Sequence, residues 1–229
     1  TELWTNRVVT SDPDESAVRA RARLLRPQDY VVLDIEQWPL NESDTVTTQD
    51  VEANIQKYIQ VIKWIRNENP NLRLGYYAMF PIRSYWAPVN YLTSLEKVGD
   101  PWWDAKRPEF KAAYDAWRAA NARLAAIAQY VDAVFPSLYT FYDYYSVDAA
   151  SSWVKYAQAN IAEAKSYGKP VFPFIWPRYH DSNATLKYQY LPAEFWRLQL
   201  DTIEPLAKGV VIWDSSAFAL EQTAPWLQA

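Results

Sequence analysis

Asp34 and Glu36 close the apolar run Tyr30-Val31-Val32-Leu33-Asp34-Ile35-Glu36-Gln37-Trp38-Pro39, with one residue between them. Side chains alternate along a strand, so the two acids point the same way, roughly 7 Å apart along the backbone. Two carboxyls in one pocket disfavour double ionisation, and partial burial adds to the effect. One of them is therefore expected to keep its proton near neutrality and act as an acid. The longer stem of Glu36 makes it the expected donor.

Little else in the chain competes for chemistry. The 229 residues contain no cysteine, which excludes disulfides, thiolate metal sites and thiol nucleophiles. His180 is the single histidine, so a multi-histidine metal site cannot be built and a Ser-His-Asp triad would have to use it. The four glycines, Gly75, Gly99, Gly168 and Gly209, cannot write a phosphate-binding loop or a dinucleotide fingerprint. Carboxylates and tyrosines are left, and no cofactor or metal is expected. A net charge of −4 and a pI near 5.1 argue against a non-specific binder of nucleic acid or anionic membranes.

The elements that must hold the acids are legible as alternating strands and helices. Apolar segments at 30–36, 72–78, 133–139, 170–176 and 209–213 read as strands. Val51, Ile55, Tyr58, Ile62 and Ile65 repeat at helical spacing, as do Phe110, Tyr114, Trp117, Leu124 and Ile127. Trp153, Tyr156 and Ile161 predict a further helix closed by Gly168, and two more are expected at 193–206 and 217–226. Near-continuous apolar strands between helices imply a parallel sheet covered on its outside. The strand ends carry the acid pair, then Tyr76 and Tyr77, then Tyr139, Trp176 and Trp213. Polar-tipped aromatics converging at carboxyl ends favour an α/β fold of the (β/α) TIM-like barrel type, distorted or with fewer than eight regular strands. Before Tyr30 only weak strand candidates occur, at 3–5 and 7–10, ahead of a helix at 15–25. One domain, 1–229, is expected, in which either these candidates supply irregular strands or an amino-terminal piece is missing. No stretch approaches a membrane span, and Thr1-Glu2-Leu3-Trp4 has none of the features of a signal peptide.

Five segments in order resemble the hyaluronidase-type glycoside hydrolases, which are distorted (β/α) barrels. Asp34-Ile35-Glu36-Gln37-Trp38-Pro39 is similar to that family's catalytic Asp-x-Glu strand. Gly75-Tyr76-Tyr77-Ala78 with Phe80-Pro81, Phe135-Pro136-Ser137-Leu138-Tyr139, Pro170-Val171-Phe172-Pro173 and Gly209-Val210-Val211-Ile212-Trp213 are similar to later ones. The chain departs from the pattern in lacking disulfides, in the extra Met79, in Phe174 where tyrosine is common and in Asp214 where a small residue is usual.

Two acids on one strand face cannot straddle a scissile bond as paired glycosidase carboxyls do. A substrate acetamido group acting as nucleophile needs only one protein acid, and the resemblance implies the same. It implies Glu36 as acid and base, Asp34 orienting the acetamido group, Tyr139 bonding it from the other side, and Tyr77 and Trp213 shaping the sugar subsite; Tyr76 and Trp176, at the same strand ends, are further candidate contacts, with packing the favoured reading of Trp176. The expected partner is a polysaccharide or glycosaminoglycan, hyaluronan or chondroitin first, met by an extracellular monomer. Arg83, Arg178 and Lys187 are candidate cations for such a polymer. Competing expectations are a chitinase- or lysozyme-like glycosidase and a barrel that binds carbohydrate without cleaving it. Aromatic loop clusters at Tyr85-Trp86, Trp102-Trp103, Phe141-Tyr142 and Tyr144-Tyr145 suit sugar stacking or loop packing equally. His180 is expected on the surface, and Asp214 as a helix cap.

Overall fold

The computed structural model describes residues 2–5, 12–26, 30–143, 147–214 and 226. In chain order the elements are β1 (Glu2–Thr5), α1 (Glu15–Leu24), β2 (Val31–Asp34), α2 (Thr48–Glu68), β3 (Leu74–Tyr76) and α3 (Trp86–Glu96). They continue as α4 (Pro101–Arg123), α5 (Ala125–Ala128), α6 (Val147–Lys165), β4 (Phe174–Ile175), α7 (Ala193–Ile203) and β5 (Val211–Ile212). The fold is mixed α/β. Expected segments 7–10 and 217–226 lie outside the described residues, apart from Trp226, as do Tyr144 and Tyr145.

Local chemistry starts and stops the helices. Thr47 and Asp50 form a reciprocal capping box at the head of α2. Asp100 accepts from the backbone N–H groups of Trp102 and Trp103 to open α4, with Pro101 in its first turn. Trp102 and Trp103 therefore belong to a helix and cluster with Phe110, and Trp86 opens α3; neither pair is the loop cluster expected from sequence. Pro205 cannot continue a helix, so α7 ends at Ile203, short of the expected 206.

Strands β1, β2 and β3 pair in parallel, with Thr5 beside Asp34 and Leu33 beside Tyr76. Strands β4 and β5 form a second parallel pair. Parallel bridges from Tyr77 to Phe135, Val134 to Val171 and Ser137 to Phe174 join the two through the stretch 134–137. Six parallel segments thus lie side by side in chain order; among the described residues no pairing returns β5 to β1. The expected strands at 133–139 and 170–176 survive as bridges and a two-residue β4 because Pro136 and Pro173 can accept ladder bonds and donate none. Their carbonyls accept from Phe174 and Val211, each at 2.8 Å.

Strand alternation divides the interior into two cores. Val31, Leu33, Ile35, Leu74 and Tyr76 pack outward against the helices, with Ile55, Tyr58 and Ile62 of α2. Val32, Phe135, Tyr139, Phe174 and Trp176 pack inward, joined by the partly buried Tyr77 and Trp213. A one-residue slip of β2 would turn Val31 and Leu33 to the inner face and drive the Asp34 carboxylate into the apolar helix layer, where an unpaired charge is costly. The register of the acid pair is therefore set by its hydrophobic neighbours. Gly75 faces inward where a Cβ would lie 2.4 Å from the Phe135 ring and 2.5 Å from the Ala133 carbonyl, so only glycine lets β3 approach the next segment.

Candidate active site

Asp34 ends β2, half-buried, and Glu36 lies exposed two residues beyond it. No described residue makes a hydrogen bond or ion pair with either carboxylate. Burial, reinforced by the charge of Glu36, raises the Asp34 pKa to about 6. The carboxyl pushed up is thus Asp34, where sequence reasoning had placed the effect on Glu36: the longer stem carries Glu36 outward into water, while Asp34 stays against the inner core. Glu36 lines a cavity of about 160 Å³ together with Trp38, Leu40, Tyr58, Tyr77 and Met79.

The segment bearing Glu36 is anchored from α2. The Tyr58 hydroxyl lies 3.0 Å from both the Ile35 and the Trp38 carbonyls, and Asn54 Nδ2 donates to the Pro39 carbonyl at 2.9 Å. Tyr58 was legible in the sequence only as an apolar helix position; its hydroxyl is what spans the base of the loop. Lys57 rests over the Trp38 ring, which packs edge-on against Tyr58.

Tyr77 and Tyr139 stand beside the acids with ring centroids 6.0 Å apart. Burial pushes both hydroxyls above their ordinary range, Tyr139 far above it. The charges of Asp34 and Glu36 add to the effect at Tyr139, and that of Glu36 at Tyr77. Tyr77 donates to Ser137 Oγ at 3.2 Å. Trp213, partly exposed, stacks on Tyr139 at 5.9 Å and 29°. Asp34, Glu36, Tyr77, Tyr139 and Trp213 therefore form one constellation: two carboxyls, two hydroxyls and an aromatic face.

The other two expected contacts are placed differently. Tyr76 is fully buried on the opposite face of β3, where its hydroxyl donates to the Tyr58 carbonyl at 2.8 Å. Alternation turns it to the helices for the same reason that it turns Tyr77 to the site. Trp176 is 4% exposed and supports Trp213 edge-on at 4.7 Å, its Nε1 donating to Asp214 at 2.8 Å. Asp214 also pairs with the buried Arg178 at 3.2 Å, so both residues hold the wall together and Arg178 is no free surface cation. His180 is half-buried rather than on the surface, with its ring near Tyr139, Phe141 and Trp176. Burial lowers its pKa. The position of the loop after β4 was the only sequence signal for it.

The mixed α/β architecture has counterparts of similar fold among solved hyaluronidase structures. Among solved structures the chain is similar to bee venom hyaluronidase, with a TM-score of 0.58 and 18% identity over 87% of this chain and 67% of that one. Bee venom hyaluronidase in complex with a hyaluronic acid tetramer gives 0.60 and 18%, over 97% and 69%. At such identity the likeness is one of fold. No family model and no curated protein matches the sequence.

Proposed function

We propose that the chain is an endo-acting glycoside hydrolase of an N-acetylhexosamine-containing polysaccharide, hyaluronan- or chondroitin-like, working by substrate-assisted retention. The observation that carries this is the unpaired acid couple: Asp34, its pKa raised to about 6, next to Glu36 at the mouth of a cleft. Buried or half-buried acids without partners are costly and are retained where they react. The hyaluronidase-like fold supports the substrate class, and the six parallel segments support a distorted (β/α) barrel. A polymer of this kind is met outside the cell, which makes the protein extracellular in this reading.

The pair carries one proton between its two sites. In the free protein Asp34 holds it at pH values below about 6. A sugar seated over Glu36 removes water from that carboxyl, while the acetamido N–H donated to Asp34 stabilises its anion, so the proton passes to Glu36. Glu36 then protonates the glycosidic oxygen as the acetamido oxygen attacks C1 and the C1–O bond breaks. Asp34, now charged, stabilises the oxazolinium, and Tyr139 donates to the acetamido oxygen from the opposite side. Water, deprotonated by Glu36, attacks C1, opens the ring and restores the proton. Trp213 supplies the apolar floor and Tyr77 a further hydroxyl donor.

The test is Glu36→Gln, which keeps the shape and loses the proton. Formation of reducing ends from hyaluronan or chondroitin should fall by about 10³-fold or more while oligosaccharide affinity stays within a few fold. Near-normal turnover would remove Glu36 from the reaction.

A further inference from the structure

The cavity of Glu36 and Tyr77 does not stand alone. Leu40 and Ile82 line it and also line a second cavity of about 640 Å³ that runs along α4, a volume in the usual range of ligand sites. Three charged residues line this second cavity: Glu42, Arg83 and Arg123. Arg123 and Glu42 bind each other at 2.6 Å. Arg83 is exposed, and no described carboxylate pairs with it.

Arg83 is also held in place. The Ile82 N–H donates to Asn121 Oδ1 and the Ile82 carbonyl accepts from Trp117 Nε1, both at 2.7 Å. On the other side, the Ser84 carbonyl accepts from Asn160 Nδ2 at 3.0 Å. Asn121, Asn160 and Trp117 are all buried, which means that core side chains clamp both neighbours of Arg83. The guanidinium itself lies over the Phe141 ring, 4.6 Å from its centroid. Its charge is felt at Tyr77 of the site, and at Tyr156 and His180 beside it, where it favours the deprotonated forms. A guanidinium that lines the second cavity, next in the chain to Ile82, which lines both, suits a carboxylate, which it can bind through two parallel N–H donors.

An anionic polymer approaching the acid pair meets repulsion that a neutral one does not, so a local cation is required for it to bind. Of the candidates read from sequence, Arg178 is engaged by Asp214, and Lys187 lines neither cavity. We propose that Arg83 is the specificity-determining residue of this site. It binds the carboxylate of a uronic acid in the subsite adjoining Glu36 and so selects anionic N-acetylhexosamine polymers over neutral ones. This rests on the sugar-binding reading given above.

Binding to the Glu36→Gln protein tests it without depending on turnover. Two probes are used: oligosaccharides alternating N-acetylhexosamine with uronic acid, and the same oligosaccharides with each carboxyl reduced to an alcohol. Adding Arg83→Gln, which keeps most of the stem on Phe141, should lower the ratio of the two affinities about tenfold, the scale of one charged hydrogen-bonded contact. Arg83→Lys should restore part of it. An unchanged ratio, an equal loss for both probes, or binding of the reduced probe alone would each overturn the assignment. Turnover separates the two claims. If the unsubstituted protein cleaves the reduced polymer as readily as the anionic one, the Arg83 proposal falls and the hydrolase reading stands. If neither polymer is cleaved but the affinity ratio collapses as stated, the hydrolase reading falls and Arg83 keeps its role.

Discussion

Asp34 links the chemistry of the site to the stability of the fold. Its pKa rises from an ordinary 3.8 to about 6 on folding, so the native chain holds this proton more tightly than the unfolded chain. Below the unfolded value both states are protonated and the residue costs nothing. As pH climbs through the folded value the native carboxyl must ionise in its half-buried position, and stability is lost. Asp34→Asn stays neutral throughout. It should match the parent protein near pH ~4 and exceed it by roughly 1.5 kcal/mol above pH ~7, a figure already reduced for solvent screening of a half-exposed group. Urea denaturation across that range would show the crossover; a variant no more stable at high pH would mean that Asp34 ionises freely. The same substitution should slow hydrolysis, since an amide can orient an acetamido group but brings no charge to the oxazolinium.

In the proposed reaction Glu36 acts from the loop after β2, and a neighbouring helix holds that loop still. That helix is α2, whose Tyr58 hydroxyl sits between the carbonyls on either side of Glu36. Tyr58→Phe removes that oxygen and leaves buried carbonyls short of a donor, at about 1–3 kcal/mol. Because Glu36 then samples more positions, kcat is expected to fall about tenfold with KM changed little. A Tyr58→Phe protein with parental kcat would show that the anchor is structural only. The helix was legible through its apolar period, with Val51, Ile55, Tyr58, Ile62 and Ile65 in place. What the period could not show is that one tyrosine of this stripe uses its polar end to brace the site, because the carbonyls it meets belong to a segment 20 residues earlier.

Ligand binding is linked to folding across the whole molecule. A thiazoline that mimics the cyclised sugar should bind the native site alone, so at a hundred times its Kd it should add about 2.7 kcal/mol of stability. For a chain of this size that corresponds to a rise of roughly 5–10 °C in Tm. Calorimetry with and without the thiazoline checks this, and an unshifted transition together with undiminished hydrolysis would point to a protein nucleophile instead. The ordering of parallel segments behind this site was largely legible, since each apolar run ends near a polar-tipped aromatic. The lengths of those strands were not. Pro136 and Pro173 interrupt ladders that hydropathy alone predicts to be continuous.

The sequence by itself determined which way the acids face. Val31, Leu33 and Ile35 must be buried against helices, and the period of two then turns Asp34 and Glu36 to the other side together. Only the tertiary structure decided which acid holds the proton, that Tyr77 and not Tyr76 reaches the site, and that Arg178 is tied to Asp214 while Arg83 stays open. Ionisation and exposure depend on the water and charge around a group, and here those surroundings come from segments distant in the chain that only packing brings together.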